Sequence, residues 1–132
     1  MRKFHLQIVT PDKLFLDEEV EAVTVRTSEG ELTMLNDHID FVSTLKIHVA
    51  SVKQNGKSRK AAIAGGIIQN DKDKTTIIAA AAEWSEHIDV ERAEKARAES
   101  ERKMEMLKAN QNELKIAEYR LRKAINRINA AK

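Results

Sequence analysis

Ile88-Asp89-Val90-Glu91-Arg92-Ala93 sets a carboxylate three residues ahead of a guanidinium, where the chain changes character. Before it run β-branched residues, alanines and turn signals; after it the sequence is charged and alanine-rich, with Tyr119 as its only aromatic. Asp89 suits a helix N-cap, its side-chain oxygen accepting from amides two or three residues on. A cap leaves Arg92 unexplained, because a positive charge in a first helical turn is mildly unfavourable against the helix dipole. Arg122, Lys123 and Arg127 lie on a later segment that would fold back towards Arg92. Cations gathered on one side repel unless an anion neutralises them, and guanidinium forks match phosphate oxygens. The chemistry in prospect is capture of a triphosphate, with Asp89 or Glu83 taking sugar hydroxyls or an exocyclic amine. A solvated basic face is the plain alternative.

Other chemistries find less support. The chain has 132 residues and no cysteine, which excludes disulfides, thiol catalysis and cysteine zinc sites. His5, His38, His48 and His87 are scattered without metal-ligand spacing. No nucleophile–base pair or glycine-rich phosphate loop is evident, so an enzyme acting alone is not expected. Trp84, Tyr119 and three phenylalanines are too few for base-stacking platforms. Acidic residues interleaved in the basic segment also argue against nucleic acid. No apolar run approaches a membrane span and no signal peptide is read at the start, so direct membrane insertion is not expected.

Two modules must position the candidate residues. Residues 1–90 carry 11 basic and 14 acidic side chains, and residues 91–132 carry 12 and 7, a contrast that suggests different partners. In the first module Phe4, Leu6 and Ile8 alternate with Lys3, His5 and Gln7, a period of two that predicts a half-buried strand. Thr10-Pro11-Asp12 marks a turn, and Val20–Thr27 reads as a second strand broken by Ser28–Leu32. Leu45, Ile47 and Val49 are expected to face inward against Lys46 and His48. Asn55-Gly56 predicts a type I′ hairpin turn. Gly65-Gly66 reads as a break between strands, serving a bulge or close packing. These short strands predict an antiparallel β-sandwich.

In the second module Ala93, Ala96, Ser100, Met104 and Leu107 step by three and four. Leu114, Ala117, Leu121, Ala124 or Ile125, and Ile128 do the same beyond a break at Asn110-Gln111-Asn112. The pattern predicts an antiparallel two-helix hairpin. Its stripes are alanine-dominated, so burial contributes little, at roughly 0.8 kcal/mol per CH₂. Such a hairpin could open while the first module stays folded.

The sequence resembles the epsilon-subunit family of bacterial F-type ATP synthases over essentially all its length. The likeness rests on Ile8–Asp12 (IVTPD), Ser28–Leu32 (SEGEL) followed by His38, Ala64–Ile68 (AGGII), Ile88–Ala93 (IDVERA) and Leu121–Ile128 (LRKAINRI). The resemblance implies an α+β chain of two segregated modules, an antiparallel β-sandwich over residues 1–84 and a regulatory helical hairpin over residues 85–132. It implies a non-catalytic subunit of the central stalk that couples ion-driven rotation to ATP synthesis at catalytic sites on other subunits. The implied partners are the gamma subunit, the membrane rotor ring of c subunits and, for an extended hairpin, the alpha/beta catalytic head. The implied location is peripheral, on the cytoplasmic face of the cell membrane, through the complex.

Glu31 and His38 match positions that face the rotor ring in the family. Some members bind ATP as a regulatory ligand in the compact state, and Glu83, Ile88, Asp89, Arg92, Ala93, Arg122, Lys123 and Arg127 carry over as that site. No catalytic cofactor and no metal is implied. Extension of the hairpin would inhibit ATP hydrolysis. The alternative is a purely structural stalk adaptor without nucleotide binding or an inhibitory switch.

Overall fold

The computed structural model describes residues 2–36, 39–71, 74–106 and 111–132. The chain divides into two compact units, Met1–Trp84 and Ser85–Lys132.

The first unit is a β-sandwich built from one hydrogen-bonded path that folds over on itself. Its strands are β1 (Phe4–Val9), β2 (Leu14–Val20), β3 (Ala22–Thr27), β4 (Gly30–Met34), β5 (Phe41–Gln54), β6 (Lys57–Asn70), β7 (Lys74–Ala79) and β8 (Ala82–Trp84). They pair in the order β2-β1-β7-β6-β5-β3-β4, with β8 also on β6. β5 and β6 have 14 residues each, far longer than the usual strand of about 5–6, and so serve both layers. One half of β6 pairs with β7 through Gly66–Asn70; the other pairs with β8 through Ala61–Ile63. Leu6, Ile8, Ile63, Ile68 and Ile77 are fully buried in a core to which both layers contribute. Each such side chain stabilises the fold by about 1.5–3 kcal/mol relative to exposure.

Phe4, Leu6 and Ile8 are buried, as their alternation predicts, and Asn55 and Gly56 take positive φ of 53° and 76° in the β5–β6 turn. Three expectations are corrected. β2 is a strand that the sequence hides, because Asp17, Glu18 and Glu19 are exposed along it and only Leu16 and Val20 are buried. Charged residues on an edge strand discourage pairing with other chains. Gly65-Gly66 does not separate two strands; β6 runs through it. Finally, β5 buries Leu45 and then His48, Ala50 and Val52, so His48 points inward and Val49 does not.

The last two corrections share a cause. Leu45 pairs with Gly66 and Ile47 with Ala64, and between these pairs the inward phase of β5 shifts by one residue. Gly65 and Gly66, with φ of 84° and 146°, let β6 shift alongside, so the pairing register is the same on both sides. A Cβ on Gly66 would lie 2.1 Å from the Ile78 carbonyl oxygen of β7.

His48 is 6% exposed, and its Nδ1 lies 2.7 Å from the Lys46 carbonyl oxygen, which can only accept, so Nδ1 carries the proton. Burial lowers its pKa below 6.5; the bond to Lys46 opposes the shift and Arg26 adds to it. The folded state therefore favours neutral imidazole. As pH falls through the unfolded value near 6.5 the unfolded chain takes the proton first, so stability is lost until the lowered folded value is passed. Urea titrations from pH 7.5 to 5 should show the parent losing stability more steeply than His48→Gln. Parallel profiles would remove His48 as the cause.

The second unit begins with a single 3₁₀ turn, Ser85–His87, and continues as α1 (Val90–Met106) and α2 (Gln111–Ala131). Gln111 and Asn112, read as part of the break, already belong to α2. Ala93, Ser100, Ala117, Ala124 and Ile128 are buried along the predicted stripes, and Ala96, Met104, Leu114 and Leu121 are half-buried. Leu107 lies outside the described residues. Of the two options at the third turn, Ala124 takes the seam and Ile125 is 38% exposed.

Candidate functional site

Asp89 starts α1 in the way its residue type predicts. The Arg92 amide donates to Asp89 Oδ1 at 3.1 Å, and the Ala93 amide donates to the Asp89 carbonyl at 3.0 Å. A cap of this kind stabilises a helix by about 1 kcal/mol. The Ile88 amide closes the preceding turn on the Ser85 carbonyl at 3.3 Å. Ile88 is half-buried, Asp89 and Arg92 are exposed, and Ala93 is fully buried.

Between α1 and α2 lies an open groove of about 290 Å³. α1 contributes Arg92, Ala96, Glu99, Ser100 and Lys103, and α2 contributes Ala117, Arg120, Lys123, Ala124 and Arg127. Steps of three and four put each set on one face of its helix. The small residues of this lining let the helices approach, while five cations surround it with one carboxylate. Only four residues separate the end of α1 at Met106 from the start of α2 at Gln111, too few to return to the start of α1, so the pair is antiparallel and Arg92 and Arg127 lie towards the same end of the groove. Glu99 contacts Lys103 at 3.5 Å, an i,i+4 pair, while Arg97 lies 3.7 Å from both Glu94 and Glu101 and does not line the groove. The volume sits near the lower end for small-molecule sites, which suits a polyphosphate group better than full enclosure of a nucleotide.

Of the residues picked from sequence, Arg92, Lys123 and Arg127 are brought together. Arg122 is exposed and does not line the groove. At about 100° per residue it points roughly 140° away from Arg127, whereas Arg120 and Lys123 fall within about 40° of it. Arg120 and Lys103 were missed, although the spacing 120, 123, 127 was available as one helical face. Glu83 is half-buried on β8, opposite Ala62 in the sandwich.

Glu31 is exposed on β4 and lines a second open groove, of about 390 Å³, with Thr27, Leu32, Ile39, Phe41 and Val42 among its neighbours. Ile39 and Val42 are 76% and 66% exposed, the kind of apolar surface that marks a protein contact. His38 lies outside the described residues. Among the described residues no three His, Cys, Asp or Glu side chains form a metal-binding group, and no helix is long and apolar enough to cross a membrane.

Residues 3–85 match the family model for the β-sandwich domain of the ATP synthase delta/epsilon chain, and residues 86–132 match that for its long α-helix domain. The ATP synthase epsilon chain of Alkaliphilus metalliredigens is 52% identical over 103 residues, covering 78% of this chain and 77% of that one. That of Bacillus mycoides is 36% identical over 131 residues, covering 99% and 98%. Among solved structures, a chain of the Euglena gracilis mitochondrial ATP synthase, in an assembly of OSCP, F1 and c-ring, is similar with a TM-score of 0.82. It is 28% identical, over 98% of this chain and 82% of that one. These matches span both units, and the chain belongs to the delta/epsilon chain family of ATP synthase, within which it is an epsilon chain, a non-catalytic subunit.

Proposed function

We propose that the chain works in the central stalk, its sandwich docked on the gamma subunit and the c-ring, and that its helical unit is an ATP-responsive brake on hydrolysis. The observation that carries the brake is the groove of five cations between α1 and α2. The seam that holds that groove together is mostly alanine, with Ile128 its one large buried side chain among the described residues, so burial contributes little and a polyanion that bridges both helices adds a large fraction of what keeps them closed. ATP that binds only the closed pair shifts the population towards it. When ATP is scarce the pair opens, and the segment from Lys115 to Lys132, with six basic residues and one acidic, is steered to acidic surfaces of the alpha/beta head. The exposed Ile39 and Val42 beside Glu31 supply the surface for the rotor ring. The chain then sits peripherally on the cytoplasmic face of the membrane, held there by its complex.

The test compares ATP hydrolysis by complexes assembled with the full chain or with one ending at His87. At low ATP the truncated complex should hydrolyse several-fold faster, and the difference should shrink as ATP rises. Equal rates at every ATP concentration would leave a structural adaptor, docked through the sandwich alone.

A further inference from the structure

Glu99 is out of keeping with its surroundings. Among the described residues it is the only acidic side chain lining a groove otherwise edged by Arg92, Lys103, Arg120, Lys123 and Arg127, and its carboxylate lies 3.5 Å from Lys103. The pair contributes little to helix stability: both side chains are about half exposed, at 42% for Lys103 and 58% for Glu99, and exposed i,i+4 pairs are worth a few tenths of a kcal/mol. Its effect falls instead on whatever enters the groove.

We propose that Glu99 is an internal competitor for the polyphosphate, holding Lys103 in an ion pair that the ligand must break or do without. The inference rests on the reading of the groove as an ATP site, and names the residue that sets its affinity. Arg92 and Lys103 are eleven residues apart, or roughly 16 Å along α1, so the groove has a cation at each end. Arg92 and Arg127 mark the end at the start of α1. Lys103 lies at the other end, with Glu99 one turn before it on the same face. A ligand anchored at the arginine end reaches Lys103 only where a carboxylate already neutralises it. The ion pair is weak enough to yield, so the groove remains usable at a higher ligand concentration. Glu99 thereby sets the ATP level at which the helices close.

The experiment is calorimetric titration of the full chain, Glu99→Gln, Lys103→Gln and the double variant, each with ATP and with tripolyphosphate. Glu99→Gln should bind both ligands about two-fold more tightly than the parent, the gain that release of an exposed i,i+4 pair allows. Lys103→Gln alone should change little, and added to Glu99→Gln it should abolish most of the gain. Parent binding without any gain in Glu99→Gln overturns the inference and leaves the ATP reading standing. A gain that survives Lys103→Gln, or appears with ATP but not tripolyphosphate, also overturns it. Absence of binding by all four chains overturns both. Helical circular dichroism of the four chains guards against attributing a folding defect to the site.

Discussion

Gly66→Ala should destabilise the sandwich by about 4 kcal/mol or more, enough to leave a marginal domain largely unfolded. Two penalties coincide at this residue. Its φ of 146° lies where side chains are rarely tolerated, and the new Cβ would meet the Ile78 carbonyl oxygen at 2.1 Å and the Ala79 Cα at 2.9 Å. Both obstacles are backbone, so no rotamer change relieves them. Relief requires moving β7 away from β6, which breaks the Gly66–Ala79 and Ile67–Ile78 pairings and loosens the buried Ile77 and Ile68 behind them. Gly56→Ala is the control. At φ 76° it too is left-handed, but no atom lies within 4 Å of the added carbon, so the cost should be the backbone term alone, about 1–2 kcal/mol. Urea titration followed by the emission of Trp84, the sole tryptophan, measures both. That ring is buried against Phe15 at 4.7 Å and capped by the Arg59 guanidinium at 3.7 Å, so it reports the sandwich directly. Similar midpoints for the two variants would show that β6 and β7 do not approach so closely.

The second large effect belongs to the groove. Arg92→Ala with Arg127→Ala should weaken ATP binding by at least a hundred-fold. Charge-assisted hydrogen bonds contribute roughly 1.5–3 kcal/mol each, and these two arginines come from opposite helices, so losing both removes the bridge as well as the contacts. Arg122→Ala, on the outer face of α2, should leave the affinity within about two-fold, since an exposed charge at that distance is largely screened. Calorimetry with ATP reads both. If Arg122→Ala weakened binding as much as the double variant, the ligand would lie on the outer face of α2 and the groove would be the wrong site.

How much was readable in advance varied with how locally each feature is encoded. Phe4, Leu6 and Ile8 alternate cleanly because β1 buries one face, and Asn55-Gly56 declares its turn because few other residues tolerate positive φ in succession. β2 was obscured by Asp17, Glu18 and Glu19, whose exposure is a property of an edge position and hence of the whole sheet. The inward turn of His48 depends on a phase shift made jointly with Gly65 and Gly66, about eighteen residues away in sequence, so no window centred on β5 contains it. In the second unit, Arg92, Lys123 and Arg127 were legible from charge and an assumed hairpin. Arg122 adjoins Lys123 on the segment that folds back towards Arg92, and charge alone does not tell the two apart. The 100° step per residue separates Arg122 from Lys123 and admits Arg120 in its place.

β1 pairs parallel with β7, His5 opposite Lys74 through Val9 opposite Ile78, which has consequences during biosynthesis. Their partnership spans about seventy residues, so at 5–20 residues per second the first strand made waits roughly 3–14 s for its neighbour to be synthesised. β2, by contrast, follows within a few residues and pairs antiparallel along the other edge of β1, so that partner is available almost at once. A nascent ribbon of two strands, with Leu6 and Ile8 on one face and one edge unfilled, is the sort of intermediate that recruits other chains. The carboxylates of Asp17, Glu18 and Glu19 travel on that ribbon from its first moments and give it a repulsive charge while it waits. The acidic run that disguises β2 in the sequence would thus act earliest as protection for an unfinished chain.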